Sequence, residues 1–314
     1  MKVAFLINRI VKNYDNVVNT IHQGFSGWEY KIFISDYPGH ISLLAKQAIE
    51  EKFEIIITVG GDGTHNETIN GVMSHFKTGE GNALKDYDLE SVKQIKLGLL
   101  PAGTGNDFSR TIQVSFDVNR LKSLIESGSS HLVDIGFTSF YDKNLRPTTR
   151  FFVNITDVGM GGEVVRKLEN KLPLLSNQVQ YGIRIATTFL TYKKSHIKAH
   201  ADGWEWKGNV MNFIVANGKW FGSGLGVAPE AEINDGQFEI AILGNINIFD
   251  YVKNLNTVKQ CVKVEHPEVK YHRLSEITIA PADRRPLAID MDGEYAGFAP
   301  ITLTNVSKVL NFIY

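Results

Sequence analysis

Apolar and polar positions alternate along this chain in two different rhythms. In the first part the apolar runs are short and continuous, and stretches at helical spacing lie between them. Val3–Ile7, Tyr30–Ser35, Glu54–Val59 and Lys96–Leu100 read as strands. The run "EIIITV" is unbroken and β-branched, as in a strand covered on both faces. Tyr14–His22 reads as a helix, and Gly39–Lys52 places Ile41, Leu44, Ala45, Ala48 and Ile49 on one helical stripe. Another helix is expected from Thr64. This βαβα alternation predicts a mostly parallel sheet with helices on both faces.

After about Asp134 the texture changes. "RFFVNITDVG", "GQFEIAILGNI", "EITIAPADRRPLAIDMDGEY" and "ITLTNVSKVLNFIY" are strand-like runs broken by Gly, Asn and Asp. Helical spacing shows only near Tyr181–Lys194 and Ile248–Val262. The expected division is an α/β domain over 1–134 and a β-rich, sandwich-like domain over 135–304, with the last strand, 305–314, returning to the first.

Composition adds bounds. A chain of 314 residues exceeds the ~250–300 that one core usually organises, which fits two domains. A formal net charge of -1 lacks the basic footprint of a nucleic-acid binder, so no nucleic-acid partner is expected. The lone Cys261 excludes an intrachain disulfide and fits a reducing compartment. The opening "MKVAFLINRI" is too short for a signal-peptide core, and no run approaches the ~20 apolar residues of a membrane span. The expectation is a cytoplasmic protein that meets a membrane only from the side, at its inner face.

The candidate chemistry starts at "VGGDGTHNETINGVM", Val59–Met73. Thr64 as N-cap with Glu67 three residues on makes a capping box, and His65 is read as a first-turn residue on an exposed face. Capping does not account for Gly60, Gly61 and Gly63 around Asp62. Glycines let a backbone approach a ligand, and a helix N-terminus favours an anion. The dinucleotide fingerprint fails where Asn66 stands, and the Gly-Lys-Ser/Thr of a Walker loop is absent. A second loop, "PAGTGNDFSR", also follows an apolar strand, and ligands of open α/β sheets bind beyond such strand ends. Two loops of this kind suit one nucleotide.

These two loops resemble the signatures of the diacylglycerol kinase catalytic family, which includes soluble bacterial lipid kinases and the sphingosine and ceramide kinases. The likeness extends to "SDYPGHISLLAKQA", "VDIGF", "NGKWFGSGLGVAPEAEINDGQFEI" and "IDMDGE", in the family's order and over nearly the whole chain. The resemblance implies an NAD kinase- and phosphofructokinase-like α/β domain, a β-sandwich domain, and ATP in the cleft between them. Asn8, Ser35, Gly60, Gly61, Asp62, Gly63, Thr64, Asn66, Glu67 and Thr104 match nucleotide contacts. Asp62, Asp107 and Asp134 match acids that organise a catalytic Mg²⁺, and Glu232, Asp235 and Gln237 match a structural Mg²⁺ site. Glu294 matches the proton acceptor. Two departures stand out. Where the family has "NPxSG" after its first strand, "INRIVKN" keeps only Asn8, so Arg9 or Lys12 is the substitute source of charge. Gly162 stands where relatives often carry Asp.

Read from the residues, "DGE" is first a hairpin turn, with Glu294 projecting just past it as a base for an alcohol and Asp290 and Asp292 taken as solvated strand-tip acids. The expected activity is ATP-dependent phosphorylation of a lipid hydroxyl, diacylglycerol first, with another lipid or a sphingoid base, an NAD kinase-like reaction, or a catalytically silent binding protein as alternatives. Expected partners are the lipid at a membrane surface and a second copy as homodimer. Leucines and bases in Val164–Gln178 and Thr191–Lys198 are the candidate membrane-facing stretches.

Overall fold

Strand formation in the first part follows the apolar runs. A computed structural model describes residues 1–169 and 177–314, in two units: Met1–Ile135 with Val306–Tyr314, and Gly136–Asn305. Their boundaries fall inside strands.

The first unit runs β1 (Val3–Asn8), α1 (Tyr14–Gly24), β2 (Tyr30–Ser35), α2 (His40–Glu50), β3 (Ile55–Gly60), α3 (Asp62–His75), α4 (Leu89–Val92), β4 (Lys96–Pro101), α5 (Asp107–Thr111), α6 (Val118–Glu126) and the start of β5 (His131–Asp142). The strands pair in parallel in the order β4-β3-β1-β2. Val3, Phe5 and Ile7 of β1 join Val17 and Ile21 of α1 and Val118, Leu121 and Ile125 of α6 in one cluster. Ala4 and Leu6 are equally buried and point to the opposite face, so both faces of β1 are covered. α6 was not legible as a helix; its apolar residues, Val118, Leu121, Leu124 and Ile125, lie in a polar segment.

The second unit continues with β6 (Pro147–Phe152), β7 (Ile155–Gly159), α7 (Met160–Leu168), α8 (Asn177–Thr191), β8 (Ser195–Ala201), β9 (Trp204–Val210), β10 (Asn212–Ala216), β11 (Trp220–Phe221), β12 (Leu225–Gly226), β13 (Phe238–Leu243), α9 (Ile248–Lys259), β14 (Val269–Leu274), β15 (Glu276–Pro281), β16 (Ala288–Met291) and β17 (Glu294–Phe312). Antiparallel pairs run β14-β13-β10-β7-β16-β17 and β9-β8-β15-β17. Side chains from both series, such as Phe213, Ile240 and Ile289 against Ile197, Ile279 and Leu303, share one core, the interior of a β-sandwich. The end of β17 belongs to the first unit, where Asn311 and Phe312 pair in parallel with Lys96 and Leu97 of β4. α7 escaped the periodicity reading because Gly161 and Gly162 open it, residues that disfavour a helix interior.

Candidate active site

Register brings the candidate nucleotide loops to one edge. Asn8 pairs with Ser35, Ile7 with Val59, and Gly60 with Pro101, so β1, β2, β3 and β4 end in line. The two glycine loops that leave β3 and β4 touch backbone to backbone. A Cβ added at Gly103 would lie 2.3 Å from the Gly61 Cα, closer than any real side chain comes. Glycine at both positions is therefore a packing requirement. The Ala102 N–H donates to the Gly60 carbonyl at 2.9 Å. Asn106, in the left-handed region at φ 54, clamps its loop by accepting from the Gly103 N–H and donating to the Gly103 carbonyl, both at 3.0 Å. Thr104 stands exposed at the loop tip.

Helix α3 begins two residues earlier than expected. Its N-cap is Gly61, and no side chain caps it, so the Thr64–Glu67 capping box does not form. Those side chains hold neighbouring loops instead. The Thr64 hydroxyl accepts from the Asn8 amide at 3.0 Å, and Glu67 accepts the Gly39 N–H at 3.1 Å. Asn66 is buried and accepts from the Asn70 amide, and Gly63 sits in the first turn. Ser35 accepts the Arg9 N–H at 3.3 Å. The Arg9 guanidinium is turned onto Asp36 at 2.8 Å. An uncapped helix start at a glycine loop leaves main-chain N–H groups for an anion.

Asp62 spans the two loops. Its carboxylate accepts the N–H groups of Asp107 and Phe108, each at 3.1 Å. Burial pushes this carboxyl up, against the downward pull of those two N–H groups. Asp107 is buried with the Arg110 guanidinium at 3.8 Å, and the fully buried Asp134 accepts the Lys308 N–H at 2.8 Å. Among the described residues no three His, Cys, Asp or Glu side chains converge as a metal cluster. The Asp62, Asp107 and Asp134 set does not fit a preformed magnesium cage. Asp235, of the other implied set, pairs with the Arg273 guanidinium and accepts the Gln237 N–H, while Glu232 and Gln237 are exposed.

His65 corrects the exposed-face reading. It is 1% exposed, stacked on Phe108 at 5.2 Å and edge-on to Phe312 at 5.2 Å. Burial holds its pKa down to about 3, so the ring is neutral at physiological pH.

In the second unit Asp292 and Gly293 form the two-residue turn between β16 and β17, with φ 50 and 85. Glu294 follows the turn, and its carboxylate meets the Arg150 guanidinium at 2.6 Å. The two other acids of the motif are not solvated. Asp292 is 4% exposed and accepts the N–H groups of Val153, Asn154 and Ile155, each at 3.0 Å. Asp290 is 2% exposed and lines an apolar cavity under α7, α8 and α9. The cavity encloses about 750 Å³, its open mouth included, and its walls include Val164, Phe189, Met211, Ile214 and Tyr251. Sequence reasoning missed it because its walls come from elements far apart in the chain. The candidate membrane stretch Val164–Gln178 falls partly outside the described residues, which do not include Lys171, Leu172, Leu174 and Leu175.

The family model described as the diacylglycerol kinase catalytic domain matches residues 2–138, and the YegS C-terminal NAD kinase beta sandwich-like domain matches residues 156–314. The chain belongs to the diacylglycerol kinase family. It is similar to a diacylglycerol kinase of Staphylococcus carnosus (strain TM300), 25% identical over 90% of this chain and 84% of that one. A diacylglycerol kinase of Staphylococcus aureus (strain Newman) is likewise 25% identical, over 90% of this chain and 81% of its own length. Among solved structures, a diacylglycerol kinase from Bacillus anthracis str. Sterne aligns with TM-score 0.68 at 18% identity, over 100% of this chain and 96% of that chain. Yeast NADH kinase complexed with NADH aligns with TM-score 0.52 at 12% identity, over 99% and 82%. These likenesses fix the fold: an NAD kinase-like α/β unit and a β-sandwich unit. Family membership makes the chain a kinase, and hence a user of nucleotide.

Proposed function

We propose that the chain transfers the γ-phosphate of ATP to the hydroxyl of a lipid, diacylglycerol first, giving phosphatidic acid. The observation that carries this reading is the contact of the Gly61 and Gly103 loops at an uncapped helix start, in a member of a lipid kinase family. Phosphoryl transfer depends mainly on placement and charge stabilisation, which main-chain N–H groups at a helix start supply to phosphate oxygens. In this reading the triphosphate lies at the Gly60–Gly63 loop, with Asn8, Ser35, Asn66 and Glu67 framing it and Thr104 at the second loop. Asp62 keeps the loops together. Magnesium commonly binds through one or two carboxylates plus substrate phosphates, so Asp62 or Asp107 would hold it only together with the nucleotide, where it would offset phosphate charge.

Glu294 is assigned the proton. The lipid oxygen attacks the γ-phosphorus, the O–H proton passes to the Glu294 carboxylate, and ADP leaves. Arg150 orients that carboxylate. The apolar cavity in the β-sandwich unit suits an acyl chain. Leu190 of α8 and Phe249 and Val252 of α9 are 77%, 81% and 61% exposed, on helices that also line the cavity, which suits contact with a bilayer. Among the described residues no helix is long and apolar enough to cross one.

The test is a radiolabelled ATP assay over vesicles with and without anionic lipid, doped with diacylglycerol, a sphingoid base or neither, and with NAD in a parallel tube. Label in phosphatidic acid, with co-sedimentation of the protein, is the expected result. Glu294→Gln should bind ATP normally and lose about 10²–10⁴-fold in transfer. Label in NAD, or a Glu294→Gln variant of normal turnover, overturns the reading.

A further inference from the structure

Two acids that the proposed reaction does not use sit at the cavity wall, Asp290, and directly behind it, Asp157. Asp157 of β7 and Asp290 of β16 are direct cross-strand partners. Asp157 is 1% exposed, and neither of its carboxyl oxygens makes a hydrogen bond of good geometry, the Asn212 amide and the Gly162 N–H lying only near enough for a weak pull. A buried group left without good hydrogen bonds costs stability, which points to a use outside folding. Its oxygens sit against the cavity lining: a Cβ added at Gly161, which lines the cavity, would lie 2.4 Å from both. Asp290 lines the same cavity, and one of its oxygens accepts the Gly293 N–H at 2.8 Å. Asn212, also at the wall, spends its carbonyl oxygen on the Gly161 N–H.

Position 162 carries no side chain for a packing reason. A Cβ at Gly162 would lie 2.2 Å from the Ala288 carbonyl oxygen, so no side chain fits where α7 crosses β16.

We infer that Asp157 and Asp290 form a carboxyl pair that binds the oxygen-bearing head of an uncharged acylglycerol whose chain occupies the cavity, the pair donating to an ester carbonyl or hydroxyl oxygen. This rests on the lipid kinase reading and adds a specificity-determining pair to it. Two carboxyls on neighbouring strands in an apolar setting do not both ionise, so an acid O–H remains to donate. Burial pushes Asp157 up to about 7 against the weak pull of the Asn212 amide and the Gly162 N–H. Burial and then the Asp157 charge push Asp290 well above the usual carboxylate range. The other groups facing the pair are Asp292 and Glu294 after β16 and Tyr192 at the end of α8, while Glu163 of α7 and Arg285 act on Tyr192. Tyr251 of α9 lines the cavity. No cation among these competes for the pair, apart from Arg285, which is committed to Asp283 at 2.6 Å. An uncharged head therefore takes an O–H from the pair, whereas an ammonium lipid requires its ionised form.

The experiment measures KM and kcat for dioctanoylglycerol and for a long-chain amino alcohol between pH 6 and 9, in the wild type, Asp157→Asn, Asp290→Asn and Asp157→Leu. Dioctanoylglycerol binding without ATP is measured in parallel. The wild-type KM for dioctanoylglycerol should rise with pH as the pair loses its last shared proton. The Asn variants, which keep an N–H donor and cannot ionise, should hold KM flat across that range. Asp157→Leu should raise KM about tenfold with little change in kcat or in ATP affinity. A wild type that phosphorylates dioctanoylglycerol with a KM unmoved by pH and by all three changes overturns the pair and leaves the kinase reading standing. Preference for the amino alcohol at pH 6, where the pair still holds its proton, also overturns it. Lipid binding that depends on the pair in a protein that transfers no phosphate sinks the kinase reading instead.

Discussion

His65 shows how much one buried ring can tie to pH. In the unfolded chain it takes a proton near pH 6.5, but in the fold it resists protonation down to about pH 3. The native state therefore binds fewer protons than the unfolded state across that window, and this residue's contribution falls as the pH falls through it. At pH 5 the loss is about 2 kcal/mol relative to pH 7, at about 1.4 kcal/mol per pKa unit. Asp157 and Asp290 act in the opposite sense. Their carboxyls are raised, so they contribute stability below the unfolded carboxyl pKa and lose it as the pH rises through their folded values. Comparing denaturation midpoints of the wild type and His65→Phe from pH 7 to pH 4 isolates the histidine. The variant should lose less on acidification, and parallel curves would show that the ring is not held neutral.

At the scale of elements, the two glycine loops act as one part because their backbones touch. Gly103→Ala must push Gly61 away, since the added carbon would stand 2.3 Å from the Gly61 Cα. The start of α3 moves with it, and the Asp62 bonds to the Asp107 and Phe108 N–H groups open. Nucleotide affinity should drop at least tenfold while far-UV circular dichroism stays near wild type. Titration with a fluorescent ATP analogue checks this, and unchanged affinity would detach the second loop from the site. The glycines were legible in the sequence because few other roles explain so many together. The capping box was not, because its local pattern cannot reveal that Asn8 and Gly39 compete for the same side chains. His65 and Asp290 were misplaced for a related reason. Polarity next to a turn suggests solvent, and only tertiary packing puts Phe312 over one and α7, α8 and α9 over the other.

Across the whole molecule, each unit was readable where its pattern was local. The strands β1 to β4 announced themselves as continuous apolar runs, and the β-rich texture of the second part told its class. The order β14-β13-β10-β7-β16-β17 could not be read, because antiparallel neighbours far apart in sequence leave no local mark. The return of β17 has a measurable weight. Its end gives the first unit Phe312, packed on His65 and Phe108, and the pairing with β4. A chain ending at Asn305 should leave β4 as a bare parallel edge with a hydrophobic face uncovered. Such a protein is expected to aggregate or to show non-cooperative melting by calorimetry. A sharp, wild-type-like transition of the shortened chain would make the returning strand dispensable.

That returning strand also sets an order on biosynthesis. The segment that closes the first unit's sheet is translated only after the whole of Gly136–Asn305. Until then the nascent first unit carries an open seam, and the β-sandwich half emerges before its predecessor is finished. A chaperone that shields strand edges therefore has its longest opportunity on the first unit.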